Sequence, residues 1–244
     1  MNACIHRSVH CLLAALVLVL SVGWQQLPEI PAYYRMNWRQ FQALPAVHRT
    51  IDVLQPDYEL LDAAFFHAAN EARHKEHLPD WAYSSALHRS AAGHSDSMVE
   101  NNFYGHEDRS NPARFYAHQR IVAAGGRFQA IGENIAQYEL MATKRSYCPR
   151  KQPNGEYLYL DCTTQKPFPP YTYWAYAQRV VHGWMHSPSH RRNMFNPDFQ
   201  FMACAVRVGK NPFRQRAAPF ACITQNFGGS VAKSPAQPSV RNRP

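Results

Sequence analysis

VVHGWMHSPSHRRNMF, residues 180–195, reads as a helix that breaks into a histidine-bearing turn. Val180, Val181 and Trp184 recur at helical spacing and make one apolar face. Pro188 interrupts regular hydrogen bonding, so His190 is expected just beyond the break, held in place by the end of a helix. Two earlier stretches supply partners for it: FYGHED at 103–108 brings His106, and IGENIA at 131–136 brings Glu133. Two imidazoles and a carboxylate from three distant segments are the raw material of a metal site or an acid/base site. None of the three stretches is specific alone.

Their succession is more telling. The chain reads, in order, HS..M (His94, Ser95, Met98), NNFYGH, GENIA, VV.GWM.SPSHR.NM and an aromatic-rich strand ending in TQNFGG. Over residues 56–229 this order resembles the bacterial branch of the CAP superfamily, the SCP-like extracellular proteins related to cysteine-rich secretory proteins, venom antigens and plant pathogenesis-related proteins. The resemblance implies an α/β fold: an α/β/α sandwich with a central, mostly antiparallel sheet flanked by helices. It also implies a cleft that commonly carries two histidines and two acidic residues and in some members holds a divalent metal. His106 matches the first histidine, Glu133 the first acid and His190 the second histidine. The second acid belongs one turn before that histidine, in a W-x-x-E pattern, and Trp184-Met185-His186-Ser187 puts Ser187 in its place. The tetrad is incomplete, which counts against any mechanism needing two carboxylates.

Three readings of the cleft stay open. Two neutral imidazoles with a carboxylate and a water suit zinc or another divalent metal, with His106 and His190 as the candidate ligands. Such a metal would activate water for hydrolysis, with Glu133 as the candidate base. A His–Glu–His hydrogen-bonded network that orders the cleft and binds nothing is the third. His182 and His186 form an i, i+4 pair able to hold zinc, but HExxH is absent and a solvated polar face is the simpler account. Ser187 and Ser189 lack a nucleophile elbow around them, and Ser187 reads as an N-cap. Arg191 and Arg192 read as solvent-facing, with a carboxylate or phosphate clamp as the alternative, and His94 reads as a satisfied core residue. Two functions compete: a binding module whose cleft and rim take a lipid, a cell-wall fragment or a protein partner, and an extracellular metal-dependent hydrolase, peptidase-like or nuclease-like. The missing acid favours binding, and fold analogy alone decides nothing.

Residues 1–23 carry Arg7, an apolar run over 12–22 and a small-x-small end at Ser21 and Gly23. The run is short for a bilayer span, so it reads as a secretory signal and places the protein in the periplasm or outside the cell; an uncleaved N-terminal anchor is the alternative. About 220 residues then remain, enough for one sizeable core. A formal net charge of +9 favours anionic surfaces or serves solubility. No basic run interleaved with stacking aromatics suggests a nucleic-acid surface.

Of six cysteines, Cys4 and Cys11 leave with the signal. Four allow three pairings, and the spacing favours Cys148 with Cys162, across an Asn154-Gly155 turn, and Cys204 with Cys222, in two late strand-like runs. A zinc site for these four lacks any C-x-x-C spacing. Residues 24–55 read as an irregular N-terminal extension. A helix from Asp57 presents Leu60, Leu61, Ala64, Phe65, Ala68 and Ala72 inward and Asn70, Glu71 and Arg73 outward. A second covers about 84–101, and a third starts at Asn111-Pro112 and is closed by Gly125-Gly126. Residues 137–173 read as a hairpin-bearing insertion that either rims the cleft or staples the domain. Residues 230–244 read as a disordered tail.

Overall fold

The computed structural model describes residues 30–143 and 146–231. The expected signal segment, the beginning of the extension and the tail beyond Val231 lie outside the described residues. Helix α1 is Trp38–Gln42, capped by Asn37, and lies between two 3-10 turns at Ala32–Arg35 and Pro45–His48. Helix α2, Tyr58–Lys75, starts where Asp57 accepts a hydrogen bond from the backbone N–H of Leu60. Strand β1 is Ala82–Tyr83, and α3, Ser85–Glu100, is capped by Ser84.

The third expected helix is divided: Pro112–Arg114 is a 3-10 turn, and α4 is Ala117–Ala123. Asn111 makes no side-chain cap. Gly125, at φ 85°, closes α4 as expected. Strand β2, Phe128–Glu139, is followed by the hairpin β3, Cys148–Lys151, and β4, Tyr157–Leu160. Helices α5, Tyr173–Met185, and α6, Pro188–Phe195, precede strands β5, Phe201–Val208, and β6, Phe220–Val231. Ser230 and Val231 thus belong to a strand and not to a tail.

The main sheet has the order β1-β5-β6-β2. Its β2–β6 and β5–β6 pairs are antiparallel and only the short β1–β5 pair is parallel. Alternation along β5 sorts its side chains to two faces. Met202, Cys204 and Val206 join Leu61, Phe65 and Trp184 of α2 and α5 in the main core, while Ala203 meets Leu87 of α3 and Ile121 of α4. The result is a three-layer α/β/α sandwich. Trp184 is 2% exposed, sits 6.2 Å from Phe65 and donates its indole N–H to the Ile135 carbonyl at 3.2 Å, so it ties α5 to both the core and β2.

Cys148 and Cys162 form a disulfide, with their Cα atoms 5.1 Å apart. Cys204 and Cys222 do not: both are free and buried. Cys204 opposes Gln225, and Cys222 opposes Arg207, so the cysteines are offset by an odd number of positions and face opposite sides of the sheet. The supposed outer face of α2 is also buried. Asn70 clamps the backbone of Trp81, accepting from its N–H at 2.9 Å and donating to its carbonyl at 3.2 Å, and Arg73 donates to the carbonyl of Met194 at 2.8 Å.

The hairpin insertion packs on the β5–β6 loop. Tyr159 is buried beside Met141 and Ala218, and its hydroxyl donates to the carbonyls of Gln215 and Ala217 at 2.8 and 3.0 Å. None of its hydrogen bonds among the described residues reaches His106, Glu133 or His190.

Candidate functional site

Glu133 lies near the middle of β2, an edge strand, opposite Asn226 of β6. Its side chain emerges on the α3/α4 face, because Ile135 two residues on packs with Met98 of α3. Gly132 before it lies within the extended strand. A Cβ there would come within 2.8 Å of the Phe199 ring, so the glycine is needed for close packing of β2 against the segment after α6.

The Glu133 carboxylate is 4% exposed and almost fully engaged. Arg120, on α4, donates from Nη2 to its two oxygens at 2.9 and 2.7 Å. His106 Nδ1 donates to Oε1 at 3.0 Å, and in the amide orientation that satisfies both of its ends Asn226 Nδ2 donates to Oε2 at 3.1 Å. Burial pushes this carboxyl up, but the His106 hydrogen bond and the positive charge of Arg120 outweigh it and hold the group below the usual carboxylate range. Because an ionised carboxylate only accepts, a neutral His106 must carry its proton on Nδ1. Its Nε2 lone pair then remains available on a side chain that is 56% exposed.

His190 does not follow the helix break in a turn. Pro188 is the first residue of α6 and His190 lies within that helix's first turn. The backbone around it is pinned to β2: Asn134 Nδ2 donates to the His190 carbonyl at 3.3 Å, and Asn193 Nδ2 donates to the Glu133 carbonyl at 3.1 Å and to Asn134 Oδ1 at 2.8 Å. Burial, and then the charge of His106, lower the affinity of the His190 ring for a proton. Among the described residues the His190 ring hydrogen-bonds neither His106 nor Glu133. Ser187 occupies the N-cap position of α6 as expected, but its hydroxyl makes no capping bond and lies 3.4 Å from that of Ser189.

His94 is the core residue the sequence suggested. It is fully buried, its Nε2 is 3.0 Å from the Gly105 carbonyl, and burial lowers its proton affinity. Arg191 and Arg192 are exposed, and Arg191 lies over the Phe195 ring at 4.5 Å. His182 and His186 have ring centroids 4.0 Å apart. A concavity of about 620 Å³ runs beside α6, between apolar Met185 and Phe195 and basic Arg191 and Arg192. It flanks the Glu133 cluster and does not contain it. Among the described residues no helix is long and apolar enough to cross a membrane.

The sequence model of the cysteine-rich secretory protein family, CAP, matches residues 66–227. The chain belongs to the CAP family. Solved structures with a similar course include an extracellular protein containing an SCP domain from Bacillus anthracis, with 22% identity and a TM-score of 0.44, covering 71% of this chain and 41% of that one. An outer surface protein of Borrelia burgdorferi shares 16% identity with a TM-score of 0.47, over 75% of this chain and 98% of its own. A cysteine-rich secretory protein of Staphylococcus aureus shares 12% identity with a TM-score of 0.41, over 71% of this chain and 40% of its own. The chain thus spans well under half of the Bacillus and Staphylococcus proteins. No curated protein matches it.

The metal that some CAP proteins hold does not fit these residues as they stand. A divalent ion on Glu133 would sit beside a buried guanidinium already paired to both oxygens, and like charges repel strongly where water is excluded. Among the described residues no group of three or more His, Cys, Asp or Glu is placed to hold an ion. Sequence reasoning missed Arg120. In AHQRIVA nothing distinguishes a buried arginine from a surface one, since its partner lies thirteen residues away on a strand. Asn193 and Asn226 lay in stretches already singled out, NM and TQNF, but an asparagine there carries no signal of its partner.

Proposed function

We propose that this CAP domain is an exported, non-catalytic binding module. The observation that carries the reading is the saturation of Glu133 by Arg120, His106 and Asn226. A general base needs a free lone pair within reach of a substrate or water proton, and a metal ligand needs one aimed at the ion. This carboxylate is spent on holding α4 and the His106 loop against β2. The metal-dependent hydrolase reading therefore loses Glu133, its candidate base.

What the arrangement offers is recognition. His106 and His190 present imidazoles at the edge of β2, and the concavity beside α6 combines an apolar floor with two arginines. Such a surface suits an amphiphile with an acidic group, so a lipid is preferred over a cell-wall fragment or a protein partner. Export fits the apolar segment at 12–22 and the family's extracellular character.

The test uses vesicles of phosphatidylglycerol and of phosphatidylcholine, and isolated wall sacculi, in co-sedimentation with the purified protein. Retention on phosphatidylglycerol, reduced at least tenfold by Arg191→Glu with Arg192→Glu, is the expected result. Peptide or nucleic-acid hydrolysis that disappears in Glu133→Gln, or zinc binding that disappears in His106→Ala with His190→Ala, would overturn the reading.

A further inference from the structure

A second cavity, of about 300 Å³, opens on the α3/α4 side of the sheet and is bounded by Arg89, Arg114 and Arg120. Each arginine has unused donors. Arg120 spends Nη1 on the carbonyls of Arg114 and Phe115 and Nη2 on His106 and Glu133, while its buried Nε–H has no acceptor. Arg114 makes no side-chain hydrogen bond or ion pair among the described residues, and Arg89 gives one Nη2 hydrogen bond to the Ala124 carbonyl, at 2.7 Å, and pairs with no carboxylate. Asn111, at the cavity wall, makes no side-chain hydrogen bond among the described residues, so its amide N–H groups are unused.

The carboxylate in this wall is Asp108, and it is turned onto Ser110, accepting from its N–H at 3.1 Å and its hydroxyl at 2.5 Å. Arg120 is balanced by Glu133, which leaves two guanidinium charges facing one already engaged carboxylate. Guanidinium groups recognise oxyanions by paired, planar hydrogen bonds.

We propose that this cavity is an oxyanion site for a small carboxylate- or phosphate-bearing molecule, held by Arg89, Arg114 and Asn111. Its volume lies at the lower end for ligand sites, which admits a phosphomonoester or a short dicarboxylate and not a polymer. The proposal is independent of what binds beside α6.

Gly93 makes a clean test possible. It lies on α3 at the cavity wall, one turn after Arg89, and a Cβ there meets nothing within 4 Å, so Gly93→Leu adds bulk at the cavity wall without a clash at its Cβ. The full chain is titrated with inorganic phosphate and with succinate at constant ionic strength, sodium chloride serving as control, and arginine Nε–H resonances are followed. Saturable shifts of the Arg89 and Arg114 signals with either anion are expected, and the tighter anion identifies the group recognised. Arg114→Gln should weaken binding at least tenfold, and Gly93→Leu should abolish it while leaving the thermal midpoint no lower than that of the parent. Shifts no greater than those with chloride, or equal affinity in the parent and both variants, would overturn the site.

Discussion

At the scale of single residues the molecule turns on a buried ion pair. Arg120 and Glu133 are 3% and 4% exposed, and each would be left as an isolated charge without the other. Removing one partner of such a pair typically costs about 3–5 kcal/mol, whereas replacing both by apolar groups is far less costly. Arg120→Met is therefore expected to lower unfolding free energy by about 3–5 kcal/mol, and Arg120→Met with Glu133→Leu to recover much of it. Urea denaturation of the two variants checks this, and a double variant as unstable as the single would show that the pair does not carry the cost. The same residues explain why the site was only partly legible. His106, Glu133 and His190 were found because they sit in recognisable words. The role of Glu133 was hidden, because a carboxylate reads identically whether it waits for a metal or is already paired.

At the scale of elements, α6 and the β5–β6 pair show where reading along the chain succeeds and where it stops. Pro188 reads as a helix breaker, and α5 does stop just before it, but the same ring preorganises the first turn of α6. Sequence shows the break, not the continuation. Ser187 stands at this N-terminus without making a cap, so Ser187→Glu places negative charge where the helix dipole favours it. A gain of about 0.3–1 kcal/mol in a thermal or chemical melt is expected. A loss of more than that would mean that the half-buried position rejects the longer side chain.

The cysteines illustrate register. Spacing around Asn154-Gly155 fixed the Cys148–Cys162 pair because the turn aligns its own flanks. Cys204 and Cys222 are separated by a loop whose length leaves register undetermined, and an offset of one residue exchanges the faces of a strand. Iodoacetamide should label Cys204 and Cys222 in unfolded, unreduced protein and neither in the native state. Peptide mapping that finds them linked to one another would refute the arrangement.

At the scale of the whole molecule the N-terminal segment is part of the core. Tyr34, Phe41, Val47, Ile51 and Val53 are buried, and they cover α2, which is why that helix is buried nearly all round, polar residues included, and why periodicity does not reveal its surroundings. His67 is the seam. It is 1% exposed, stacks on Phe41 at 4.3 Å and donates from Nε2 to the Tyr33 carbonyl at 2.9 Å, while its Nδ1 has no partner. Burial pulls its pKa down to about 4, although the Tyr33 carbonyl works the other way. The folded state keeps this ring neutral and the unfolded chain protonates it near its ordinary value of about 6.5, so the stability it protects is complete above that pH and is lost on acidification toward about 4. The whole loss is about 3 kcal/mol. His94 and His190, also lowered by burial, act in the same direction. Asp80 and Asp96, raised by burial, oppose them, but carboxylates titrate at the acid end of this window and leave its upper part to the histidines. Unfolding free energy measured between pH 6.5 and 5 should therefore fall with acidification. His67→Gln, which retains a donor for Tyr33 but cannot take up a proton, should flatten that slope by up to about 1.4 kcal/mol per pH unit. Identical slopes in the parent and the variant would show that the seam does not titrate, and that acid sensitivity, if any, arises elsewhere in the sandwich.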